Sequence, residues 1–101
     1  MLARPELTEV QQTLLNMADT IEERGWCQNT LCDEDGRICL MKAAIIEASR
    51  SAERAGSTYM NFDAVLLIEK KVGGPVARWN DVPGRTKKEV INMLRGLAYG
   101  S

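Results

Sequence analysis

The sequence predicts a mainly α fold: one compact domain of four to five helices over residues 1–101, with a short hairpin as an option between the first two. Three observations lead there. Capping-box spacings stand near both ends, Thr8 with Gln11 and Thr86 with Glu89. Apolar residues recur mostly at helical spacing, and glycines or "VGGP" interrupt them where helices should stop. A chain of 101 residues buries roughly 60–65% of its unfolded surface, enough for one core.

The first helix runs from about Thr8 to Arg24. The Thr8 hydroxyl takes an orphan amide, Gln11 reaches back, and Leu7, Val10, Leu14, Met17 and Ile21 follow on one face. Gly25 suits the residue just past the helix end, because it has no Cβ to oppose a left-handed backbone. The stretch "WCQNTLCDEDGR" then reads as loop or hairpin. Asp35-Gly36 can supply the positive angles of a tight turn, but its flanks alternate poorly.

From Ile38 to Ala55 the first half is apolar on most of its surface, which predicts a helix whose first half is the buried centre of the fold. Gly56 ends it. Phe62, Val65, Leu66, Leu67 and Ile68 make a third helix that stops at "VGGP". A short helical turn holds Val76 to Trp79. In "DVPGRT" proline fixes one backbone angle, glycine frees the next and Thr86 caps a last helix. Its stripe is Val90, Ile91, Leu94, Leu97 and Ala98, with Lys87, Lys88 and Arg95 outside it.

Apolar residues make up 45% of the chain and charged residues 27%, the balance of an ordinary globular domain rather than a disordered or fibrous one. The longest apolar run, Ala64 to Ile68, is far short of a membrane span, and "MLARPELTEV" lacks the apolar middle of a signal peptide. A cytoplasmic protein with no membrane contact is expected. Cys27, Cys32 and Cys39 then stay as thiols.

Charge is polarised along the chain. Residues 1–69 carry six basic and twelve acidic side chains, a net of −6; residues 70–101 carry seven and two, a net of +5. The simplest expectation is that the two parts face each other or water. An anionic partner or head-to-tail self-association would use the same asymmetry. Nucleic acid is a weaker candidate, through a basic face of Lys70, Lys71, Arg78, Lys87, Lys88 and Arg95, because the overall pI of about 5.4 is acidic.

Chemistry has few footholds. The chain has no histidine, so a nucleophilic cysteine would lack its usual base. The spacing C-x4-C-x6-C fits no zinc site, and the acid run Asp33-Glu34-Asp35-Gly36 is out of register with a calcium loop. No metal, no cofactor and no catalytic residue is assigned. Trp26 and Trp79, each beside polar residues, read as core lids whose indole N–H finds a partner, or as binding anchors. Asn80 and Asp81 read as fasteners of the turn, taking backbone amides.

Together "IEERGWCQ", "DGRICLMKAAIIEAS" and "RWNDVPGRTKKEVINMLRGLA" resemble a family of small uncharacterised proteins from actinobacteria and their phages. Its pattern falls on Gly25, Trp26, Cys27, Gln28, Gly36, Arg37, Cys39, Trp79, Asn80, Asp81, Gly84, Arg85, Thr86, Glu89 and Val90. Cys32 lies outside it, and Met41-Lys42 stand where a smaller residue and glycine are expected. The resemblance implies a helical domain and a bacterial or phage cytoplasm, and no activity. It also suggests that the GWC-Q and WND-GRT elements meet at one end of the fold, with an Arg85–Asp81 ion pair bracketed by the two tryptophans.

The function expected is a protein-interaction module without catalysis, binding a host factor or itself, with Trp26, Gln28, Trp79, Asn80, Asp81 and Arg85 as candidate contacts. A small enzyme or ligand-binding domain centred on Trp26, Asp81 and Arg85 is the alternative.

Overall fold

A computed structural model describes residues 7–100. Most of the "MLARPELTEV" stretch read for a leader therefore lies outside the described residues. Five helices follow one another: α1 (Glu9–Arg24), α2 (Leu40–Arg54), α3 (Asp63–Val72), α4 (Val76–Asn80) and α5 (Lys87–Gly100). Among the described residues none is long and apolar enough to cross a membrane. The radius of gyration of 13.7 Å is that of a folded domain of this length, in which unfolded chains would reach about 30 Å.

Each helix starts on a side-chain acceptor for a backbone amide; at α3 it is Asn61, whose Oδ1 accepts the Asp63 amide at 2.8 Å. Thr8 caps α1 in a complete capping box: its hydroxyl accepts the Gln11 amide at 3.1 Å, and the Gln11 side chain accepts the Thr8 amide at 2.8 Å. Cys39 caps α2 through sulfur, accepting the Lys42 amide at 3.4 Å. The carboxylate of Glu69 in α3 accepts the Val76 amide at 3.0 Å and so starts α4. At α5, Thr86 and Glu89 exchange backbone and side-chain bonds at 3.2 Å, satisfying amides that the helix itself leaves without partners.

The centre of the core falls on α1, contrary to the expectation for α2. α1 packs against α5, α2 and α3, and its Leu14, Met17, Ala18 and Ile21 are fully buried. α2 buries a narrow stripe of Leu40, Ala43, Ala44, Ala48 and Ala52, leaving Met41, Ile45 and Ile46 half-buried on its flanks. The helical period decides this: residues three and four apart share a face, and the alanines, not the isoleucines, occupy it. Small side chains there let α2 approach α1. In α3 the period likewise turns Leu66 outward, 64% exposed.

Three polar residues are buried among the described residues, Thr20, Glu47 and Asn80, and the Thr20 hydroxyl donates to the Asn16 carbonyl one turn back at 2.8 Å. Glu47 of α2 pairs with Arg50 at 3.2 Å and accepts from Asn16 of α1 at 3.1 Å. Asn80, at the end of α4, is 0% exposed and anchors the α1–α2 connection.

Candidate functional site

The site begins where α1 ends. Gly25 has φ 91° and ψ 166°, a region open essentially to glycine alone. This sharp exit sends Trp26 and Cys27 alongside Ile38: Ile38 N–H donates to the Gly25 carbonyl at 3.0 Å, and Cys27 N–H to the Ile38 carbonyl at 3.1 Å. On the other side of the same segment, Asp33 N–H bonds the Arg37 carbonyl and Cys39 N–H the Leu31 carbonyl, both at 3.0 Å. The optional hairpin is thus replaced by a knot in which Ile38 makes an isolated bridge on each flank. One residue per flank is too short a ladder for strands, and none occurs among the described residues.

Asp33 closes the turn of this knot. Its carboxylate accepts the amides of Asp35 and Arg37 at 3.0 and 2.9 Å and the Arg37 Nε at 2.6 Å, while Arg37 also pairs with Asp35 at 3.2 Å. Desolvation pushes the Asp33 carboxyl up, but the bonds from the Arg37 side chain and from the two amides outweigh it and hold it below its ordinary value. A lowered carboxyl pKa stabilises the fold above the unfolded value of about 3.9, and that contribution is lost as pH falls through the folded value. An NMR titration should therefore place the Asp33 midpoint below about 3.9; a midpoint at or above it would contradict the clamp.

The second half of the site is the "WNDVPGRT" corner, and Asn80 joins it to the knot. The Asn80 Oδ1 accepts the indole N–H of Trp26 at 2.7 Å and the Leu40 amide at 3.0 Å. Its Nδ2 donates to the Cys27 carbonyl at 3.1 Å and to Asp81 at 2.9 Å. Gln28 donates to the carbonyls of Asn80 and Val82 at 3.0 and 2.9 Å, and Asp81 accepts the Asn29 amide at 2.9 Å. Asn29 has φ 67°, a backbone state in which asparagine is among the better tolerated residues. The two motif stretches therefore meet as a polar clasp. Asn80 and Asp81 do take backbone amides, but from the 29–40 segment rather than from their own turn.

Beyond the clasp, Val82 to Arg85 form a turn closed by the Arg85 amide on the Val82 carbonyl at 3.0 Å, with Gly84 at φ 85°. Proline second and a positive-φ glycine third are what a type II turn requires. The turn returns Arg85 over Trp79: the guanidinium carbon lies 3.8 Å from the ring centroid, and Nε donates to the Trp79 carbonyl at 3.0 Å. The expected Arg85–Asp81 ion pair does not form. Arg85 pairs with Glu89 at 3.3 Å instead, because the i,i+4 spacing along the start of α5 places that carboxylate beside it, while Asp81 is engaged by Asn29 and Asn80.

Trp79 is half-buried and lines a shallow depression with Val72, Gly73, Gly74, Pro75, Arg78 and Val82. Neither Trp26 nor Asp81 lines it. The six residues of the expected basic face divide into two groups. Lys70 and Lys71 end α3 and Arg78 lies on α4, all exposed. Lys87, Lys88 and Arg95 border a groove beside Glu22 of α1. There Arg95 approaches Asp19 at 3.4 Å and Glu22 at 3.9 Å, and Lys87 donates to the Glu22 carbonyl at 3.4 Å. The opposite charges of the two chain parts thus meet along α1 and α5.

The cysteines sit around the knot with different access. Cys32 is exposed, Cys27 intermediate and Cys39 buried. Burial pushes the Cys27 thiol above its ordinary value, and the Asp33 carboxylate adds to it. Thiolate is the reactive form, so a carbamidomethylation time course should label Cys32 first, Cys27 later and Cys39 only on unfolding. Early labelling of Cys39 would contradict this packing. Among the described residues no three cysteine or carboxylate side chains converge as a metal site would need.

Sequence reasoning missed Glu69 as the start signal of α4, Cys39 as the cap of α2 and the Asp33–Arg37 clamp. The i,i+4 spacings 33–37 and 85–89 were the available signals. No curated protein and no solved structure matches the chain. Residues 5–99 match DUF6197, a family of unknown function, and the chain belongs to that family.

Proposed function

We propose that this protein is a small interaction module that acts by occupying a partner's surface through the face around Trp79. The carrying observation is the Trp79 ring itself. It is half-exposed, stacked under Arg85 at 3.8 Å, and set in a depression walled by Val72, Pro75 and Val82. An aromatic side chain already fixed in its position loses little freedom on binding, which is the condition under which such residues become affinity anchors. The motif resemblance supports an actinobacterial or phage source and a cytoplasmic setting.

A catalytic or ligand-binding centre on Trp26, Asp81 and Arg85 draws less support. The indole N–H, the Asp81 Oδ1 and the guanidinium are each spent on internal bonds. Nucleic-acid binding draws less support as well, since Arg95 and Lys87 are turned to α1.

Photo-crosslinking tests the proposal. A photoreactive residue at position 82, expressed in an actinobacterial host, should give a discrete adduct, and one at position 54 at the far end of α2 should not. An adduct with a second copy of this chain would assign self-assembly to the same face. No adduct at 82, or equal adducts at both positions, would sink the proposal.

A further inference from the structure

We infer that the occupant of this face is an acidic segment of another protein, carrying two bulky apolar side chains among aspartates and glutamates. The inference rests on the Trp79 surface as the contact and adds the chemistry of its partner. Two depressions flank the C-terminal turn of α3. One, of about 220 Å³, is lined by Val72, Pro75, Trp79 and Val82; the other, of about 340 Å³, lies between α3 and α5 and is lined by Met93 and Leu97. Consecutive residues of α3 serve them: Val72 lines the first and Lys71 the second.

Cations rim both. Lys71 borders the second depression and Arg78 the first, and Lys70, the chain neighbour of Lys71, is exposed. Among the described residues Arg37, Arg50, Arg85 and Arg95 have carboxylate partners. Lys70, Lys71 and Arg78 have none there. Apolar floors with unpaired cations at their edges complement an apolar side chain flanked by carboxylates.

Two other occupants fit less well. A nucleic acid would stack bases on exposed aromatic faces, and one face of Trp79 is covered by Arg85. A second copy would offer Glu23, Glu34, Glu53 and Asp63, which are exposed and outside the ion pairs of the described residues, but they stand on separate elements (α1, the α1–α2 connection, α2 and α3) rather than in one acidic segment around two bulky apolar side chains.

The test is selection of random peptides displayed on phage against the full chain, followed by affinity measurement on the recovered peptides. The expected peptides are net acidic with two bulky apolar residues. Their binding should weaken about tenfold between about 50 and 500 mM NaCl, and by at least about tenfold in Val82→Asp and in Lys71→Glu, Arg78→Glu, with melting temperatures unchanged. Neutral or basic peptides, or binding insensitive to salt, would overturn the acidic partner while Val82→Asp sensitivity preserved the Trp79 contact. Peptides bound equally by Val82→Asp and by the native chain would overturn both readings, as would recovery of no binder. Tight duplex DNA binding at low salt that Arg78→Glu abolishes, or concentration-dependent self-association that Val82→Asp abolishes, would overturn the acidic segment in favour of that occupant.

Discussion

Replacing Asn80 by alanine is expected to cost about 3–5 kcal/mol of folding stability, because one buried and two part-buried groups lose their partners at once. The Trp26 indole N–H and the Leu40 amide lose their acceptor, and the Cys27 carbonyl loses its donor. Each buried group left without a partner costs about 1–3 kcal/mol. Asn80 is 0% exposed, so water cannot easily substitute. Against a total stability of about 5–15 kcal/mol this is a large fraction, and the melting temperature should fall by about 15–25 °C. Urea unfolding checks it; a loss below about 1 kcal/mol would mean that the clasp is not what joins the two motif stretches.

Gly25→Ala is expected to cost about 2–4 kcal/mol, from backbone strain added to a steric clash. The φ of 91° with ψ of 166° lies where a Cβ is penalised. A Cβ built there would also stand 2.7 Å from the Arg37 Cγ. Arg37 cannot retreat freely, because its Nε is held by Asp33 at 2.6 Å. Gly36→Ala is the control: it shares a positive φ of 82° but has nothing within 4 Å of an added Cβ. It should cost only about 1–2 kcal/mol. Thermal unfolding of the pair checks this, and equal losses would show that neither the extended positive-φ backbone of Gly25 nor the Arg37 contact adds cost beyond an ordinary positive φ.

The helices were legible because their signals are local. Capping spacings, apolar periodicity and glycine stops act within four residues, and all five apolar positions of the predicted α5 stripe are buried. What stayed hidden depends on contacts that sequence spacing does not encode. Asn80 looks like any turn asparagine until the fold brings it to Leu40, 40 residues away, and to Trp26, 54 away. The α2 interior was misjudged because alanine carries little hydrophobic signal, although it is what a close helix contact selects. The Arg85 partner was misassigned for a different reason: Asp81 was nearer in the motif, but Glu89 was at helical spacing.

These bonds separate holding from binding. The most buried polar residue, Asn80, and its partners Trp26, Gln28 and Asp81 hold the knot to the corner. The surface that results is Trp79 with its apolar neighbours and basic rim. The most direct test is an NMR titration of the isotope-labelled chain with the tightest peptide recovered by display. The account predicts shifts at Val72, Arg78, the Trp79 indole and Val82, with the Trp26 indole and Asn80 side-chain resonances unmoved. Shifts concentrated on Trp26, Asn80 and Asp81 with Trp79 silent would contradict it and place the ligand in the clasp.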